Sequence, residues 1–142
     1  KRRDFESLIV KLGLSDRVHI HGKFSYNDML NFLPKYDIGI YLAQRIDGNF
    51  DITVPTKLFD CICAGVAVVM PNFKSIEEEI RDIGCGITVD TNDDEKIIAA
   101  LLDFIKHKET IEKCKQASIN AESSYNWTTQ GKNLVRFYQD LK

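Results

Sequence analysis

The feature that most narrows the fold is an alternation: segments with apolar residues at helical spacing take turns with short β-branched segments along most of the chain. "FESLIVKLGL" puts Phe5, Leu8, Ile9 and Leu12 on one helical face and stops at Gly13, after which "RVHIHG" alternates as a short strand. "SYNDMLNFLPKY" opens on a Ser25 cap with Asp28 three residues later and keeps Met29, Phe32 and Leu33 on one face. It breaks at Pro34, before the strand "DIGIYL". The loop "AQRIDGNFDIT" is the longest polar interruption. The helix "PTKLFDCICAG", the strand "VAVVM", the helix "KSIEEEIRDIG" and the strand "GITVD" follow. Strands separated by helices predict an α/β domain with a parallel sheet.

The remainder reads as helix. Asn92 or Asp93 caps "DEKIIAALLDFIKH", with Ile97, Ile98, Leu101, Leu102 and Ile105 in one stripe, and a second helix runs from Glu109 towards Ala121. "TTQGKNLVRFYQDL" supplies the last, with Leu134, Val135, Phe137, Tyr138 and Leu141 as its apolar face. No internal repeat, low-complexity tract or interdomain linker interrupts the pattern.

Composition limits the function classes. A chain of 142 residues, 44% apolar and 28% charged, has material for one globular core. Its 19 basic residues are dispersed among 21 acidic ones, and the only basic cluster is Lys1-Arg2-Arg3, which argues against a nucleic-acid partner. There is no apolar run of membrane-span length and no charged-then-apolar leader, so the cytosol is the expected setting. Cys61, Cys63, Cys85 and Cys114 make no C-x-x-C pair and the histidines lie apart from them, so no metal is expected and the cysteines read as buried, reduced thiols. His19 and His21 alternate along one strand and read as structural.

In a parallel α/β sheet a ligand lies outside the carboxyl ends of the strands, so the loops after Gly22, Leu42, Met70 and Asp90 form the candidate site. Thr53 is expected to cap the helix that begins near Pro55, leaving the amides of Thr56, Lys57 and Leu58 open towards the cleft. A helix start with a lysine beside it suits a phosphate, and Asp60, one turn on, suits the vicinal hydroxyls of a ribose. A plainer account competes: an aspartate in a first helical turn favours the helix dipole with no ligand at all, and such a lysine is commonly just solvated. Ala64-Gly65 reads as an ordinary helix stop.

Several of these segments together carry a resemblance. "VPTKLFDCICAGVAVV", then "PNFKSIEEEIRDIGCGITVDTNDDEKIIAAL" and the closing "YNWTTQGKNLVRFYQDL" resemble the C-terminal, donor-binding half of retaining GT-B glycosyltransferases of family 4. The shared pattern is P-x-K-h-h-[E/D] at Pro55 to Asp60, a small pair at Ala64-Gly65, a β run at Val66 to Val69, and G-x-G-h-h-h-D at Gly84 to Asp90. The resemblance implies a Rossmann-like, three-layer αβα domain that binds a nucleotide-diphosphate sugar without a metal. Asp60 would hold the ribose hydroxyls. The helix start at Thr56 and Lys57 would face the diphosphate, Gly22, Lys23 and Phe24 would pack against the base, and the loop from Ala43 to Thr53 would reach the sugar.

Two departures shape the expectation. The family's usual E-x7-E places its first glutamate where this chain has Ile52, with Asp51 a substitute by proximity, and its second member is Asp60, one methylene shorter. Family members also carry an acceptor-binding N-terminal domain and a first βαβ unit, so the chain is expected to be one partial donor-binding domain, inactive alone and without an assignable catalytic residue. The expected reaction moves a sugar, with retention, to a glycan or lipid-linked acceptor in polysaccharide synthesis, with peripheral membrane association of the whole enzyme. A GT-B nucleotide-sugar epimerase and a receiver-like regulatory module are the alternatives, the second disfavoured because "VHIHG" ends in no acid. Without its neighbours "RVHIHG" is expected to leave an exposed parallel edge open to dimerisation.

Overall fold

The computed structural model describes residues 2–45 and 48–141. Lys1, one member of the basic triplet, and Ile46 and Asp47, within the Ala43–Thr53 loop, lie outside the described residues. The elements in chain order are α1 (Arg2–Lys11), α2 (Tyr26–Phe32), β1 (Ile38–Ile40), α3 (Thr56–Cys63), β2 (Ala67–Pro71), α4 (Lys74–Ile83), β3 (Gly86–Val89), α5 (Asp94–Lys106), α6 (Lys108–Tyr125) and α7 (Trp127–Asp140). Short 3-10 turns occupy Leu33–Lys35 and Gly48–Asp51.

The sheet is parallel, in the order β1-β2-β3, with Gly39 opposite Val68 and Val69 opposite Ile87. Every residue of β2 is buried. A strand with no polar position has no face to offer water, so helices must cover both sides. Val66, Val68 and Met70 join Leu58 and Ile62 of α3 and Ile76 and Ile80 of α4 in one cluster. Ala67 and Val69 turn the other way, to Val89, Phe104 of α5, and Ile111 and Cys114 of α6. The result is the parallel α/β sheet expected from the alternation, in the Rossmann-like αβα arrangement that the resemblance implies, closed by a helical C-terminal end.

Local chemistry sets the ends of these elements. Ser25 Oγ accepts from the Asp28 amide at 3.2 Å and donates to its carboxylate at 2.6 Å, the Ser25 cap read from the sequence. Asp93 accepts from the Glu95 and Lys96 amides, each at 3.1 Å, and Asn126 from the Thr129 amide at 2.8 Å. Gly65 takes φ +67° where α3 ends, and the Val66 amide reaches back to Cys61 O at 3.0 Å. All four cysteines are free thiols, three of them buried and Cys63 half-buried. Burial pushes Cys61 up to about 11 and Cys85 up to about 12.

Two expectations need correcting. Residues 18–25 have no regular secondary structure, so "RVHIHG" is not a strand. Its alternation marks which side chains would share a face, but an isolated strand leaves its backbone polar groups unpaired, and no sheet neighbour reaches it. The edges of the sheet among the described residues are instead β1 and β3, and on β1 Ile40 is 53% exposed. The apolar face expected for α7 does exist, yet Leu134, Val135, Phe137 and Tyr138, and Leu141 just after the helix, are all exposed, as are Phe5 and Leu8 of α1 and Leu12 just after it. Among the described residues no helix is long and apolar enough to cross a membrane.

Gly86 offers a sharp check on the sheet. A Cβ there would run into the carbonyl oxygen of Val68 and come within 2.6 Å of Val68 Cγ2, so β3 would have to leave β2. Gly86→Ala is expected to lower the unfolding free energy in urea by about 2 kcal/mol or more. Gly131→Ala, in open space within α7, is expected to cost nothing and to gain up to about 1 kcal/mol.

Candidate functional site

The carboxyl ends of β1, β2 and β3 are tied together by side chains. Thr91 Oγ1, after β3, donates to Ala43 O after β1 at 2.7 Å, and Ser75 Oγ of α4 donates to Asp51 O at 2.6 Å. Tyr41 continues from β1 and its amide still pairs with Val69 O at 3.0 Å. The first turn of α3 begins beside it, with Lys57 Nζ 5.1 Å from the centre of the Tyr41 ring. The lysine charge therefore stands over an aromatic face at the strand ends, where cation–π attraction holds it.

The residue before α3 is Pro55, which contributes no side-chain cap. Thr53 is not the cap expected of it: its hydroxyl donates to Asn49 O at 2.9 Å, closing the preceding 3-10 turn. The Leu58 amide is also not open, since it bonds to Pro55 O at 3.0 Å, and the Leu58 side chain is fully buried in the core. That leaves the amides of Thr56 and Lys57, at the first two positions of α3, as the helix-start donors that helix geometry leaves without an intrahelical partner.

Asp60 is the fifth residue of α3, and the first turn holds no acid. The helix-dipole account, which needs an acid in that turn, loses its footing. The Asp60 carboxyl is half-buried and held above the ordinary carboxylate range by desolvation, partly offset by the Lys57 charge. Among the described residues no donor lies within hydrogen-bond distance of it. A desolvated carboxylate without a donor is a poor stabiliser and a ready acceptor.

Thr56, Phe59, Asp60 and Cys63 share the face of α3 opposite its core residues, and they line a cavity of about 910 Å³. Its other walls come from far along the chain: Tyr26 at the start of α2, Glu79 of α4, Tyr125 at the end of α6, and Trp127 and Gln130 of α7. Tyr125 stacks on Phe59 with ring centres 5.7 Å apart, and its hydroxyl donates to Glu79 Oε2 at 2.9 Å. Burial and that bond push the tyrosine up to about 12.

The fold thus brings together only part of the site read from the sequence. Thr56 and Asp60 share the cavity, while Lys57 stands beside it at the strand end. Asp51 is engaged by the Arg45 guanidinium, which also lies 5.1 Å from the Phe73 ring centre. Gly22, Lys23 and Phe24 precede α2 outside the cavity lining, and Phe24 stacks on Phe32 at 4.7 Å. The nearby contributor is Tyr26, two residues beyond Phe24. Glu79, Tyr125, Trp127 and Gln130 carried no local signal, because each looks like an ordinary member of an amphipathic helix until the fold gathers them.

The family model described as Glycosyl transferases group 1 matches residues 1–123. Among solved structures, a sucrose-phosphate synthase from Thermosynechococcus elongatus superposes with a TM-score of 0.74 at 13% identity, over 99% of this chain and 34% of that one. WaaG, a glycosyltransferase involved in lipopolysaccharide biosynthesis, gives a TM-score of 0.68 at 22% identity, over 87% of this chain and 31% of that one. The chain therefore spans about a third of the length of these relatives. No curated protein matches it.

The state of Asp60 has a measurable consequence. A carboxyl raised in the folded chain binds its proton more tightly than in the unfolded chain, so its ionisation subtracts stability as pH rises above the unfolded value. Asp60→Asn is expected to melt higher than the native chain at pH 7, and the gain is expected to shrink as pH falls towards the ordinary carboxylate range. A lower melting temperature for Asp60→Asn at pH 7 would restore the dipole account.

Proposed function

Because the chain belongs to the glycosyl transferases group 1 family, we propose that it is the donor-binding part of a GT-B glycosyltransferase of the retaining, family 4 type. Its donor is a nucleotide-diphosphate sugar, bound without a metal, and its acceptor is a glycan or lipid-linked glycan. The observation that carries this reading is the pairing at α3 of open helix-start amides beside Lys57 with a half-buried carboxylate, Asp60, that has no donor among the described residues. The amides and the lysine suit a diphosphate, whose negative charge grows as it leaves. The carboxylate suits two neighbouring ribose hydroxyls.

Further features follow from the same reading. Thr56 and Lys57 meet the phosphates, and Gly22, Lys23 and Phe24 lie towards the base. Catalysis needs an opposite wall that brings the acceptor to the donor, so the chain alone is expected to bind donor and not to turn it over. The longer enzyme works in the cytoplasm as a peripheral membrane protein. Dimerisation, where it occurs, goes through an exposed edge of the sheet.

Calorimetry of UDP and GDP sugars tests the reading. Asp60→Ala is expected to weaken donor binding by about tenfold to several hundredfold, the equivalent of one or two hydrogen bonds to a charged group. In a turning-over enzyme Lys57→Ala is expected to lower kcat more than it raises KM. Unchanged donor affinity in Asp60→Ala would refute the assignment, and release of an epimerised sugar nucleotide without an acceptor would replace transfer by isomerisation.

A further inference from the structure

The cavity beside α3 is larger than a ribose contact requires and its far end has a different character from the helix start. At about 910 Å³ it sits near the top of the usual range of ligand pockets, about 300–1,000 Å³. Its two charged lining residues are Asp60 and Glu79, and no lysine, arginine or histidine stands among the described residues that line it. Phosphate is thus unwelcome at the Glu79 end of the groove, and the Lys57 charge lies outside it over Tyr41. Aromatic faces dominate the far end: Tyr125 stacked on Phe59, and Trp127, 78% exposed.

We propose that the end of this groove formed by Glu79, Tyr125, Trp127 and Gln130 is a subsite for a neutral carbohydrate, the acceptor glycan of the transfer reaction. The proposal rests on the sugar-transfer reading above, and it gives this chain a share in acceptor binding that the resemblance assigned to another domain. Charge complementarity favours a neutral ring. Carboxylates accept hydroxyl protons, and a flat aromatic face matches the apolar face of a pyranose. Glu79 Oε2 accepts from the Tyr125 hydroxyl, which leaves its other carboxylate oxygen to a ligand. Gln130 Nε2 is used on Ser124 O at 2.6 Å, so its carbonyl oxygen is the atom left to accept. Among the described residues no group of three metal-ligating side chains gathers here to hold a metal ion, whereas a polyol, which both donates and accepts, suits the mixed acceptors and hydroxyl of the lining.

Trp127 is the single tryptophan of the chain, so its emission reports on this wall and on the adjoining face of α7 that it also borders, and the Glu79 and Gln130 variants assign a shift to this wall. The experiment titrates the full chain with a panel of neutral tetrasaccharides of glucose, galactose or mannose, with UDP and GDP, and with choline. The expected result is a saturable blue shift with at least one tetrasaccharide, unaffected by saturating nucleoside diphosphate. Glu79→Gln and Gln130→Ala, each checked for native helix content, are expected to weaken that binding by about twofold to tenfold, the scale of one neutral hydrogen bond. Displacement of the sugar by UDP or GDP would make the groove a nucleoside seat and overturn the proposal. A shift with choline alone, a shift that follows protein concentration instead of sugar, or no shift with any tetrasaccharide would overturn it equally. Donor binding and its loss in Asp60→Ala are read separately by calorimetry, so the subsite can fail while the donor assignment stands.

Discussion

The structure depends on the burial of β2. With Ala67 to Pro71 wholly out of water, the strand gains its stability only if one set of alternate side chains is covered by α3 and α4 and the other by α5 and α6. The sheet leaves little slack in that arrangement, because the Gly86 backbone lies directly against Val68. Fixing α3 through Leu58, Cys61 and Ile62 fixes the opposite face as well, where Thr56, Phe59, Asp60 and Cys63 recur at helical spacing. The face of the helix that lines the cavity is therefore positioned by its buried face.

Much of this was legible in the sequence, for a physical reason: helix period, caps and stops are local. Ser25, Asp93, Gly65 and Gly84 act where their neighbours place them, within a few residues. What was not legible depends on distant partners. "RVHIHG" has the period of a strand, but a strand exists only with a neighbour to take its hydrogen bonds. Thr53 was read as a helix cap because it stands before α3, and the choice went to Asn49 O because a 3-10 turn had formed upstream. The far wall of the cavity joins Asp60 to Tyr125 and Trp127 across the whole of β2 to α6. No spacing rule reaches so far.

Charge placement also separates two roles that the sequence had merged. Lys57 and Asp60, three apart, read as one charged pair, and the lysine does lower the cost of ionising the aspartate. Yet the side chains serve different spaces: Lys57 stands over Tyr41 at the strand ends, and Asp60 lines the groove. A ligand with an anionic middle and neutral ends fits that division better than a uniformly charged one.

The same reasoning bears on Ile52, which stands where the resembling family has a glutamate. It is 76% exposed, and its side chain carries no hydrogen-bonding group. Asp51, beside it, has its carboxylate on Arg45 and its carbonyl on Ser75 Oγ, so it is built into the loop and not held ready for a ligand. The acidic residues that line the groove beside α3 are Asp60 and Glu79. On the proposed reading, a sugar held by this chain would run along the outer face of α3, away from the position of Ile52.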